Sequence, residues 1–121
     1  MTAEEMTTEG RMLKLVQRLH AKTKAGEIQW ERTSSRDTFQ SAFPNYVVRV
    51  FVRTEPEESP DYYVAIRDQA GTLIEQASDE AIDMAVPNAK AYDLMTDLYT
   101  MARRQALGVD KALDSLLGEL E

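Results

Sequence analysis

The stretch Asn88-Ala89-Lys90-Ala91-Tyr92-Asp93-Leu94-Met95-Thr96-Asp97-Leu98-Tyr99-Thr100-Met101-Ala102-Arg103-Arg104-Gln105 is the most strongly helical segment of the chain. Ala91, Met95, Leu98 and Ala102 follow the 4-3-4 spacing that keeps side chains on one helix face. Leu94, Tyr99 and Ala106 widen that face. A stripe this wide needs a broad apolar partner, and the only broad one upstream reads as a β-sheet. Pro87 suits the first position of this helix, and Arg103 and Arg104 suit its C-terminal end. Gly108 stops it.

Upstream, the apolar period changes from helical to alternating. Thr7 or Thr8 can cap a helix in which Met12, Leu15, Val16, Leu19 and Thr23 share a face, and Gly26 suits its C-cap. The sequence predicts a helix over about residues 8–24. Residues 1–7 are polar and are expected to fray. Ile28 and Trp30 then alternate with polar residues, as do Phe39, Ser41 and Phe43. Residues 46–53, Tyr-Val-Val-Arg-Val-Phe-Val-Arg, are the strongest strand, rich in β-branched and aromatic side chains. A Pro/Glu loop at 54–60 separates it from a strand at 61–68. Gly71 marks a turn into a strand at 72–77.

Register follows from the 54–60 loop. Val52 should face Tyr62, Val50 Val64, and Val48 Ile66, while Phe39 should face both Val50 and Trp30. One sheet face is then apolar across four strands. Past the strands, Ser78 or Asp79 can cap a short helical turn. Asp110 can cap a last helix in which Leu113, Leu116, Leu117 and Leu120 recur at i, i+3, i+4 and i+7. The predicted fold is α+β, two-layered. An antiparallel β-meander of four to five strands is packed by an N-terminal helix and a C-terminal helical segment, in one domain over residues 1–121.

Two segments also support a resemblance. They are Lys22-Thr23-Lys24-Ala25-Gly26-Glu27-Ile28-Gln29-Trp30-Glu31, and Leu98-Tyr99-Thr100-Met101-Ala102-Arg103-Arg104-Gln105-Ala106-Leu107-Gly108-Val109-Asp110-Lys111-Ala112-Leu113. Between them lies a strand-turn-strand with Asp68-x-x-Gly71. In these the chain resembles a type of small bacterial or phage-encoded α+β protein. The resemblance implies the architecture and attaches no activity.

Composition removes several function classes. With 43% hydrophobic and 29% charged residues the chain reads as an ordinary globular protein. The formal net charge of -7 argues against nonspecific binding to nucleic acid or to an anionic membrane. There is no cysteine, so disulfides, thiolate nucleophiles and zinc-thiolate sites are excluded. No secretory signal and no membrane-spanning run is read, which leaves the cytoplasm as the expected location.

No catalytic constellation emerges. His20 is the only histidine and reads as a helix-surface residue. Glu57-Glu58 and Asp79-Glu80-Asp83 lack the spacing of an EF-hand and read as a solvated loop and a helix start. The five glycines are dispersed at turns and caps, with no phosphate-binding loop. Neither metal nor cofactor is implied.

Binding is the more informative possibility. The outer sheet face should carry Arg49, Phe51, Arg53, Tyr63 and Arg67, a basic and aromatic patch on an acidic chain. Such a patch could hold an acidic peptide, a phosphate or single-stranded nucleic acid. It could equally be a solvated face whose arginine stems cover the rings, with Arg53 opposite Asp61. Leu113, Leu116, Leu117 and Leu120 lie on a helix too short to stand alone, so it should dock on its own domain, on a second copy or on another protein. Tyr92 and Tyr99 could extend such an interface. The expected function is therefore a non-enzymatic protein-binding or regulatory module, accessory or immunity-type, able to form a homodimer. Two alternatives are single-stranded nucleic-acid binding on the same face, and a small-molecule pocket or minor enzyme site near Trp30, Tyr62 and Tyr92.

Overall fold

A computed structural model describes residues 7–121. The expected fraying of residues 1–6 lies outside the described residues. The chain forms α1 (Thr8–Lys24), β1 (Glu31–Arg32), β2 (Thr38–Ala42), β3 (Tyr46–Arg53), β4 (Asp61–Asp68), β5 (Leu73–Ser78), α2 (Asp79–Ala85), α3 (Ala91–Leu107) and α4 (Val109–Glu119). The strands lie in sequence order in one antiparallel five-stranded sheet, so the fold is the expected α+β meander with helices.

Each boundary of α1 has a local cause. The Thr7 hydroxyl accepts from the Gly10 amide at 3.1 Å, using a donor the helix cannot satisfy itself. At the other end Gly26 takes φ 77°. The Glu27 amide reaches the Lys22 carbonyl and the Gly26 amide the Thr23 carbonyl, the paired bonds of a Schellman cap. The Lys22–Glu31 segment is thus, in its first half, a helix terminator. Its second half departs from the sequence reading. Ile28 and Trp30 are buried but precede the ladder, which starts at Glu31, and Phe39 faces Arg32 rather than Trp30. Side-chain bonds hold this segment in place of strand pairing. The Trp30 indole N–H donates to Thr23 Oγ1 at 2.9 Å, and Gln105 of α3 accepts from the Trp30 amide and donates to the Ile28 carbonyl.

The β3–β4 register is the expected one, with Val48, Val50 and Val52 opposite Ile66, Val64 and Tyr62. Phe39 faces Val50. Phe39, Val48, Val50, Val64 and Ala77 join Met12, Val16 and Leu19 of α1 and Met95 and Leu98 of α3 in one apolar cluster. Ala91, Met95, Leu98 and Ala102 are the buried residues of α3, as their spacing predicts. Each fully buried Leu, Phe or Met side chain contributes about 1.5–3 kcal/mol, so this interface dominates stability.

Two helix starts also depart from expectation. Helix α3 begins at Ala91, not at Pro87, because Asn88 and Lys90 both take left-handed φ, 61° and 54°. The cap comes from another element: Asp83 of α2 accepts from the Ala91 amide at 2.7 Å and the Tyr92 amide at 3.2 Å. Helix α4 follows α3 across Gly108 alone, with no side-chain cap, and Asp110 pairs instead with Arg104. None of its residues is buried. The docking of the last helix on its own domain is therefore overturned: Leu113, Leu116, Leu117 and Leu120 all face solvent, at 48–82% exposure.

Candidate functional site

The helices pack on the sheet face that carries Val48, Val50 and Val64. Alternation along β3 and β4 sends Arg49, Phe51, Arg53, Tyr63, Ala65 and Arg67 to the other face, and the ladder sets Phe51 opposite Tyr63 and Arg49 opposite Ala65. Phe51 and Tyr63 stack in parallel, with ring centroids 4.9 Å apart and planes 2° from coplanar orientation. The Arg53 guanidinium lies over them, 4.8 Å from the Tyr63 centroid and 5.4 Å from that of Phe51. The attraction of a cation to a ring face fixes its position without using its N–H donors.

The other two arginines are oriented by polar contacts. Arg49 Nε donates to Gln40 Oε1 at 3.1 Å, and Gln40 in turn donates to Glu31 at 2.9 Å. Arg67 Nη1 donates to the Gly71 carbonyl at 2.9 Å, while its Nε is shielded from solvent and has no acceptor among the described residues. Ala65 is 1% exposed beneath these side chains. Together they form a groove of about 340 Å³, rimmed on one side by Ser35, Asp37 and Thr38. Among the described residues none of the three arginines takes part in an ion pair. Arg53 and Asp61 are ladder partners but are not such a pair.

All five residues that the sequence placed on this face are brought together. Gln40 was missed, although the Phe39–Val50 register puts it beside Arg49. The aromatic residues proposed to extend the terminal helix surface are placed elsewhere. Tyr92 stands edge-on to Tyr62, with centroids 5.8 Å apart. Tyr99 is half-buried between Phe39 and Tyr62, at 5.6 and 5.5 Å. Burial, and then the charge of Asp37, hold its phenol above the ordinary pKa of 10.0, so it remains neutral. Trp30, Tyr62 and Tyr92 do not share a cavity: Trp30 closes the end of α1, while Tyr62 and Tyr92 pack on each other.

His20 bonds Asp97 through Nε2 and ties α1 to α3. The shallow cleft beside this pair is lined by Gln17, Ala89, Lys90, Asp93 and Leu94, none of which supplies a hydroxyl or thiol nucleophile. Among the described residues no three His, Asp or Glu side chains converge to hold a metal ion. Nor is any described helix long and apolar enough to cross a membrane. Comparison of the chain with protein-family models, with curated proteins and with solved structures finds no match, so the chemistry of the site is read from its own residues.

Proposed function

We propose that the chain is a cytoplasmic, non-enzymatic protein-binding module whose outer sheet face holds an acidic segment of a partner protein. The observation that supports this most is the state of Arg53. Its guanidinium is fixed over two stacked rings, yet its donors meet no carboxylate among the described residues. Arg49 and Arg67 follow it along the same face. Planar donors held in advance match carboxylates, and less side-chain entropy is lost on binding.

A single-stranded nucleic acid fits the face less well. Bases stack on open ring faces, whereas Phe51 and Tyr63 turn theirs to each other and to Arg53.

The test is fluorescence anisotropy with a panel of Asp- and Glu-rich peptides and a single-stranded oligonucleotide. Binding of an acidic peptide is expected, weakened at least tenfold by Arg49→Ala with Arg67→Ala, since a charge-assisted hydrogen bond contributes about 1.5–3 kcal/mol. The fold should persist, with melting temperature lowered only by the loss of the Arg49–Gln40 and Arg67–Gly71 bonds. If no acidic peptide binds, or binding persists in the double variant, the sheet face is not the site. A preference for the oligonucleotide, with steep loss in added salt, would favour the nucleic-acid reading.

A further inference from the structure

A second surface stands apart from the sheet face and does not depend on its reading. Helix α4 buries none of its residues, while Leu113, Leu116, Leu117 and Leu120 form one apolar stripe along it. At 100° per residue, Asp114 lines one edge of that stripe and Glu119 lies beyond the other, while Glu121 follows the end of the helix. An exposed stripe of four leucines edged by acids calls for an apolar strip edged by bases.

The chain itself carries a basic strip whose aliphatic stems, with Leu15 at its edge, offer such a surface. On α1, Arg11, Lys14, Leu15 and Arg18 recur at i, i+3, i+4 and i+7, the spacing of the four leucines. These four side chains line a shallow apolar cleft. It runs on into a groove where Leu15 and Arg11 meet Met12 and Ile66, with Thr8 and the acid Glu75 at its rim. Arg11, Lys14 and Arg18 are exposed and take part in no ion pair among the described residues. Seven residues of helix rise about 10 Å in either stripe, so the two stripes match in length. Long basic side chains lay apolar stems on such a strip and keep their charge at its rim.

The strip is not covered by the α4 of the same chain, whose four leucines are exposed along with the three bases of α1. The His20–Asp97 bond, with Trp30 bonded both to Thr23 of α1 and to Gln105 of α3, places the last turns of α1 beside the middle and end of α3. Helix α4 therefore leaves beside the last turn of α1, while the basic stripe begins at the opposite end. The Arg104–Asp110 pair braces the α3–α4 bend.

We propose that α4 of one copy docks its leucine stripe on the α1 stripe of a second copy, and the reverse, giving a two-fold homodimer. Each copy supplies one helix and one groove, so the contact is self-complementary and closes at two chains.

Light scattering and sedimentation of the full chain, over about 1–500 µM, test this. The expected mass is two chains at high concentration, falling to one on dilution. Leu116→Glu with Leu117→Glu should give a monomer at every concentration, with the melting temperature of the dilute wild type. Arg11→Glu with Arg18→Glu should raise the dissociation constant at least tenfold, as should Asp114→Lys with Glu121→Lys. Combining the two charge reversals in one chain should restore the dimer. A wild-type monomer throughout overturns the proposal, as does a dimer that survives the leucine changes. A dimer sensitive to the leucines but indifferent to both charge reversals means that α4 pairs with α4, and overturns the α1 site. Masses beyond two chains overturn the reciprocal closure.

Discussion

Asp79 is buried at the first turn of α2, 5% exposed, and accepts from the Tyr62 amide at 2.7 Å. Burial raises its pKa above the usual 3.8, with the charges of Asp61 and Asp83 adding to the rise and the Tyr62 bond opposing it. The native state therefore holds this proton more tightly than the unfolded chain does. Between 3.8 and the raised value, stability falls as pH rises, and the cost of the buried charge persists at neutral pH. Asp79→Asn keeps an acceptor for Tyr62 and removes the charge. Its melting temperature should equal or exceed that of the wild type at pH 7, and the two should converge below pH 3.8 as the wild-type carboxyl protonates. Melting curves across this range decide it, and a gap that stays constant with pH would refute the desolvation argument. Asp83 acts through its hydrogen bonds. It caps α3 from another helix, so Asp83→Ala should cost about 0.5–2 kcal/mol in urea unfolding. In sequence it reads only as one of three acids at a helix start, because the amides it serves lie eight and nine residues on, across a turn of left-handed residues.

At the scale of elements, legibility tracked how local the determining interaction is. The stripe Ala91, Met95, Leu98, Ala102 and the β3–β4 register depend on periodicity and one hairpin loop, both readable from neighbours in sequence. The same holds for the Arg49, Phe51, Arg53, Tyr63, Arg67 face, since alternation and register settle it together. The Trp30 segment was misplaced because Gln105, 75 residues away, supplies the bonds that a strand partner would have supplied. Helix α4 was misjudged for a different reason. Its leucine spacing is as regular as that of a core helix, and spacing reports that a face is apolar, not what covers it. The difference is measurable. Leu98 is 1% exposed and Leu116 58%. Leu98→Ala should cost about 2–5 kcal/mol, and Leu116→Ala should stay within about 0.5 kcal/mol of wild type in dilute solution. Denaturant titration at low protein concentration checks both. A large cost for Leu116→Ala would mean that α4 belongs to the folding unit of a single chain.

Over the whole molecule, both surfaces proposed to bind are basic although the chain carries a net charge of -7. Six of the fourteen Lys and Arg residues lie on them: Arg49, Arg53 and Arg67 on the outer sheet face, and Arg11, Lys14 and Arg18 along α1. The sheet stands between them, with α1 packed on its apolar face and the arginine groove on the other. Facing layers of this kind are about 10 Å apart, and neither group bonds to the other. Changes at sites so separated act independently, with free energies adding to within about 0.3–0.5 kcal/mol. Acidic-peptide affinity should therefore be the same in the wild type and in the monomeric Leu116→Glu, Leu117→Glu variant. Self-association should likewise be untouched by Arg49→Ala with Arg67→Ala. The informative case is a peptide that also meets Arg11 and Arg18, since its acids would mimic those of α4. Such a peptide would dissociate the dimer as it binds, and its affinity would fall on Arg11→Glu with Arg18→Glu. Titrating peptide while following both anisotropy and mass separates the cases. Binding at unchanged mass assigns the peptide to the sheet face and leaves α1 to the second copy. Binding that tracks dissociation would place acidic ligand and partner helix in competition for one groove.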